Sequence, residues 1–283
     1  MKNINIYHEK KGVKYISFAP LDEKGVINAF STRIGGKSRE PYNTLNMGLH
    51  TGDDCQNVIE NRKLFLDRQG LNLSNAVAAK QVHSTNLQVV DDSLRGKGAW
   101  KWEDALDDTD GLITNSKNTI LITFYADCVP IYIYDSEKEI VALAHAGWKG
   151  TVGKIAGLTL QKMKSHYGTK TSQCLVVIGP SIGPCCYEVD ENLVVRFKNA
   201  GFNINKLAKN NRPEHYLLNL WEANKEVVLQ SGVPEDNVFV SGLCTSCNND
   251  IFFSYRAENG ITGRMAAIIA LNKGEMTDDG DKS

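Results

Sequence analysis

The sequence predicts an α+β sandwich built on mixed β-sheets. Apolar, β-rich runs cluster in the middle of the chain, at residues 120–125, 131–134 and 140–144, with little but turn residues between them. Helical patterns occur without strict alternation with strands, which argues against a doubly wound parallel sheet. A hydrophobic content of 42% over 283 residues is enough to bury one large core or two smaller ones.

The elements follow in order. Residues 14–19 and 26–30 read as strands. Asp53 or Asp54 caps a helix running to about Gln69, with Val58, Leu64 and Phe65 facing inward. Strands follow over 76–82 and 87–90, and then the central cluster. Thr151 opens a helix that stops at Gly168, a residue suited to the left-handed position past a helix end. A strand over 174–178 precedes helices over 193–199 and 220–230, and strands over 237–240 and 251–255 close the chain. No internal repeat and no Pro- or Ser-rich linker divides the chain. Residues 1–272 therefore read as one domain, and the polar, acidic stretch 273–283 as a flexible tail.

Lys and Arg number 32 against 33 Asp and Glu, a formal net charge of -1 without a basic block, so nucleic acid is not an expected partner. The N-terminus has no apolar core of the signal-peptide kind, and the other apolar runs are too short for a bilayer. The expectation is a cytoplasmic protein, monomeric by default and without a membrane partner. Seven cysteines, an odd number in a chain this long, point to free thiols or metal ligands rather than a disulfide framework.

Chemistry concentrates in three segments. His83 ends the run Lys80-Gln81-Val82, Cys128 lies between two strands, and His145 leads into Gly147, Gly150 and a helix. Two imidazoles and one thiolate suit Zn²⁺ and leave its fourth tetrahedral position open, as catalysis requires. Copper accepts the same set. The spacing alone equally allows a small buried thiol and two ordinary hydrogen-bonded histidines. The glycine-containing turn before the helix offers backbone N–H groups to an anion, or is simply a tight turn. Cys244 and Cys247 form a Cys-x-x-Cys pair without a second pair to close a metal site, and read as structural thiols. Cys185 and Cys186 read as packing residues in a turn.

The motifs KQVHS, ADCVPIYIYD, AHAGWKGT and IGPSIGPCCYEV occur in this order, preceded by FSTRIGGKS and LNMGLHTGDD and followed by FFSYRAENGITGRM. This series resembles the laccase-domain family, first labelled polyphenol oxidases and now described as purine nucleoside phosphorylases. The resemblance covers residues 30–271. It implies a single-domain αββα sandwich with mixed sheets, similar in fold to cysteine-dependent toxin deamidases. It also implies zinc bound by His83, Cys128 and His145. The implied reactions are phosphorolysis of adenosine, inosine and S-methyl-5′-thioadenosine, with deamination of adenosine; purine nucleosides and phosphate are the implied partners. For such chemistry Asp127 is the nearest acid in sequence, as a proton carrier or as a group orienting a ligand histidine. Arg33 is a candidate oxyanion contact or a surface ion pair. Asn46 is a candidate for a ribose hydroxyl or base edge, or a turn residue. Arg256, with Arg264 nearby, either meets substrate oxyanions or pairs with carboxylates. Competing readings are a copper-dependent polyphenol oxidase, a metal-free cysteine hydrolase using Cys128 and a histidine, and a binding module with a structural zinc. Six histidines are too few for both a blue-copper centre and a three-copper cluster.

Overall fold

The computed structural model describes residues 4–272; the stretch read as a tail, 273–283, lies outside the described residues. Two six-stranded sheets form its centre. One orders its strands Asn5–Lys10, Val13–Phe18, Ile27–Ser31, Met265–Ala270, Ile120–Tyr125 and Ala76–Ala78. The other runs Val238–Val240, Cys174–Ile178, Val129–Asp135, Ile140–Ala146, Gly111–Thr114 and Leu87–Val89. Both are mixed, since antiparallel pairs dominate while Ala76–Ala78, Val238–Val240 and Leu87–Val89 each join in parallel.

The layering follows from strand alternation. Along Ile120–Tyr125, Leu121 and Tyr125 point between the sheets, while Ile120, Ile122 and Phe124 point to the outer face. Along Val129–Asp135, Tyr132 and Tyr134 join the layer between the sheets, whereas Ile131 and Ile133 turn outward. A strand apolar on both faces needs cover on both. Helix Cys55–Asp67 covers the first sheet with Phe65 and Leu66. Helices Ile155–Tyr167, Glu191–Asn199 and Leu220–Gln230 cover the second with Leu160, Phe197 and Val228. The result is the αββα sandwich that the resemblance implies. Asp54 starts the first of these helices by accepting from the N–H groups of Gln56 at 2.8 Å and Asn57 at 3.0 Å.

Two readings of the pattern are corrected. Residues 251–255 are not a strand: Phe252 and Phe253 are buried, but the N–H of Ile251 and of Phe252 both bond the Asn248 carbonyl in a loop. The closing strand is Met265–Ala270, central in its sheet between Ile27–Ser31 and Ile120–Tyr125. The helix expected from Thr151 comes in two pieces. Trp148–Val152 ends at Gly153, Lys154 turns left-handed at φ 58°, and Ile155–Tyr167 then runs to Gly168. Gly168 has φ 76° and donates to the Lys164 carbonyl, as the C-terminal glycine signal predicts. Among the described residues no helix is long and apolar enough to cross a membrane.

Candidate metal centre

Sheet register gathers the three candidate ligands. His145 lies near the end of Ile140–Ala146, opposite Pro130, so Cys128 falls just beyond the neighbouring strand at the same sheet end. On the other side Gly111 pairs with Ala144, which brings Asp110 alongside His145, whose N–H donates to the Asp110 carbonyl at 2.7 Å. His83 arrives on a loop that the Asp110 carboxylate collects. That carboxylate accepts from the backbone N–H of Val82 at 3.2 Å, His83 at 3.0 Å and Ser84 at 2.7 Å, and from the Ser84 hydroxyl at 2.8 Å. His83 sits at φ 62°, a backbone conformation uncommon outside glycine, and these bonds hold it there.

The ligand atoms of His83, Cys128 and His145 lie within 4.8 Å of one another. A tetrahedral zinc would set its sulfur and nitrogen ligands about 3.5 Å apart, so the set fits with small adjustments. Asp110 engages Nδ1 of His145 at 2.8 Å, which leaves Nε2 as the ligating nitrogen. Gly147 preserves the space. A Cβ there would stand 2.8 Å from His83 Cδ2 and 3.1 Å from Cys128 Sγ. Among the described residues no fourth His, Cys, Asp or Glu joins the cluster. Electrostatics also favour a thiolate. Burial raises the Cys128 thiol, but the His145 and His83 rings outweigh it and hold it below its usual range. Burial lowers His145, but the Cys128 thiolate and the Asp110 carboxylate outweigh that and hold it above its usual range.

The ligands open onto a cavity of about 490 Å³, within the usual size for small-molecule sites. Phe124, Trp148, Tyr187 and Tyr255 supply aromatic wall, and Arg256 and Arg264 supply positive charge. Arg256 lies 5.5 Å from the Tyr187 ring centroid and donates to the carbonyls of Cys186 at 3.2 Å and Glu188 at 3.0 Å.

The remaining sequence candidates separate. Asp127 borders the cavity but its carboxylate is occupied. It accepts from the hydroxyls of Thr245 at 2.6 Å and Ser254 at 2.8 Å, and from the Arg256 N–H at 2.7 Å. This arrangement holds Arg256 in place and does not free a carboxylate to carry protons. Arg33 and Asn46 do not line the cavity. The Arg33 guanidinium donates to the carbonyls of Asn43 and Asn249 and pairs with Glu258 at 3.0 Å. Asn46 is fully buried; its amide oxygen accepts from the N–H of Gly48 and Arg264, and its amide nitrogen donates to Thr51 and Asp53. It reaches the cavity only by fixing the backbone of Arg264. The helix after Gly147 has five residues, too short to act as an anion cradle by its dipole.

Sequence reasoning missed Asp110, the space that Gly147 leaves for the ligands, and the clamp made by Gln81. The Gln81 amide clamps the Phe124 backbone at 2.7 and 2.9 Å, extending strand pairing by a side chain. Asp110 belongs to none of the motifs singled out in the sequence, and only the register reveals what it holds.

Fold and site together define a protein with a three-ligand candidate metal centre at the base of an aromatic, arginine-bearing cavity. The chain belongs to the family described as multi-copper polyphenol oxidoreductase laccase, whose profile matches residues 27–272. Purine nucleoside phosphorylase YlmD of Geobacillus stearothermophilus is 40% identical over 246 residues, 87% of this chain and 90% of the relative. Adenosine deaminase RL5, from an unknown prokaryotic organism, is 35% identical over 240 residues, 84% of this chain and 91% of the relative. The crystal structure of YlmD from Geobacillus stearothermophilus superposes with a TM-score of 0.91 at 38% identity, covering 96% of this chain and 100% of that one.

Proposed function

We infer that the protein is a zinc-dependent purine nucleoside phosphorylase of the cytoplasm that acts on adenosine, inosine and S-methyl-5′-thioadenosine, and that it also deaminates adenosine. The observation carrying this reading is the convergence of His83, Cys128 and His145 on a cavity that also presents aromatic faces and guanidinium groups. The names of two relatives, a purine nucleoside phosphorylase and an adenosine deaminase, support the two reaction classes.

Phosphorolysis breaks the bond from ribose C1′ to the purine nitrogen. A phosphate oxygen bonds C1′, and the departing purine takes the electron pair and a proton. Phe124, Trp148, Tyr187 and Tyr255 offer flat apolar walls to stack a purine and exclude water. Arg256 and Arg264 border the cavity, and their positive charge supports the reading that phosphate oxygens are met there. His83, Cys128 and His145 would hold the metal, which when bound supplies Lewis acidity and a template for an oxyanion. Asp110 orients His145 and the His83 loop, and Asp127 positions Arg256; we assign both to positioning. Two imidazoles and one thiolate with a fourth position open match the catalytic coordination of zinc.

Incubating the zinc-loaded protein with adenosine, with and without phosphate, tests the reading. Adenine and ribose 1-phosphate appearing only with phosphate support phosphorolysis, and inosine formed without phosphate supports deamination. No turnover of any purine nucleoside contradicts both. Iodoacetamide separates this from the cysteine-hydrolase reading: a ligated Cys128 is protected by saturating zinc, whereas a free nucleophile is alkylated.

A further inference from the structure

We propose that Cys185, Cys186, Cys244 and Cys247 form a second metal centre, a closed four-thiolate site for zinc that ties two walls of the cavity together. Their sulfur atoms all lie within 4.8 Å of one another, and Cys247 Sγ is 3.3 Å from both Cys185 Sγ and Cys186 Sγ. Four thiolates around a tetrahedral zinc would be about 3.8 Å apart, inside that range. The sequence shows only an isolated Cys-x-x-Cys pair and an adjacent Cys-Cys pair. The fold joins them: Ser181 and Cys244 form a parallel bridge, Ser181 N–H donates to the Leu243 carbonyl, and Thr245 N–H donates to the Ser181 carbonyl.

The surroundings of Cys244 suit thiolate charge. Cys244 Sγ accepts from the Gly183 N–H at 3.2 Å and from the Cys247 N–H at 3.5 Å, so two backbone dipoles point at it. Binding zinc releases the thiol protons to solvent and forms four Zn–S bonds without an oxidant. Four protein ligands leave no open position, which marks a structural rather than a catalytic site. The cluster is also placed to matter for the cavity. Ile182 and Tyr187 flank the Cys185–Cys186 pair, and both line the cavity wall, as does Arg256, which donates to the Cys186 carbonyl. The proposal does not depend on which metal the first centre holds, or on the reaction.

Elemental analysis of full-length protein, purified under reducing conditions without chelators, tests it. Cys244→Ser and Cys247→Ser should each carry about one zinc per chain fewer than wild type, whereas Cys128→Ser should keep the zinc of the four-thiolate site. Cobalt replacing zinc in Cys128→Ser should give the intense sulfur-to-cobalt charge-transfer absorption of a four-thiolate site. If the serine variants do not fold, cobalt-loaded wild type carries the test, because the two centres differ in sulfur count and in absorption. Cys244→Ser and Cys247→Ser proteins that retain wild-type zinc content would overturn the proposal. So would a disulfide among the four, detected by mass spectrometry of that reduced preparation, or cobalt absorption of only the one-thiolate kind.

Discussion

Oδ1 of Asp110 lies 2.8 Å from Nδ1 of His145, and the same carboxylate anchors the backbone of Val82, His83 and Ser84. One buried acid thus orients one candidate ligand through its ring and another through its main chain. Asp110→Ala should therefore weaken zinc binding by roughly 10–100-fold in chelator competition. It should also cost about 2 kcal/mol of stability from donors left unpaired. Asp110→Asn keeps an oxygen acceptor and should recover part of the affinity. A purely structural role would lower stability in both variants and leave affinity in the folded protein unchanged.

Gly147→Ala separates the centre from the fold. Gly147 has φ -67°, ψ 177°, which alanine adopts freely, yet its Cβ would meet His83 and Cys128. The variant should lose stability by no more than about 1 kcal/mol, the scale of a helix-cap change. Its zinc affinity should fall sharply, as isothermal titration of the metal-stripped protein would show. Wild-type affinity would count against this geometry.

How far the sequence discloses the molecule depends on how local the cause is. Strands Ile120–Tyr125 and Cys174–Ile178 are found residue for residue as short β-rich apolar runs, and helix Leu220–Gln230 by its helical pattern, each bounded by turn or polar residues. Met265–Ala270 escapes because half of Met-Ala-Ala-Ile-Ile-Ala is alanine, a residue depleted in strands. His83, Cys128 and His145 are singled out by their ligand chemistry, and only the family resemblance assigns them one ion; their approach depends on the Pro130–His145 register, which no spacing encodes. Arg33 and Asn46 mislead for a related reason. A polar side chain shows its chemistry in the sequence, but not whether its hydrogen bonds are already taken within its own chain.

Arg62 supports the cavity wall from behind. It is fully buried, lies 4.4 Å from the Phe124 ring centroid, and donates to the carbonyls of Met47, Gly98 and Ala99. Arg62→Ala leaves these acceptors unpaired and opens a void, so it should cost on the order of 3 kcal/mol in urea unfolding. A loss below about 0.5 kcal/mol, the usual limit for surface changes, would refute that role.

His50 supplies a pH signature. It lines the cavity, open to solvent but closely surrounded. Burial, helped by the Arg264, Arg62 and His145 charges, pulls it down to about 4. As pH falls below the ordinary histidine value, about 6.5, the unfolded chain takes up this proton while the folded chain does not. Stability is therefore lost from that point down towards pH 4. His50→Asn should show a smaller drop in urea midpoint between pH 7 and pH 5 than wild type, measured side by side. Equal drops would mean that His50 titrates normally.

The most direct measurement is an anomalous difference map at the zinc edge from crystals of the protein. A peak is expected about 2.3 Å from Cys128 Sγ and about 2.1 Å from a ring nitrogen of His83 and of His145, with its fourth side facing the cavity. Absence of a peak there in zinc-soaked crystals, or a fourth protein side chain closing the site, would contradict the account.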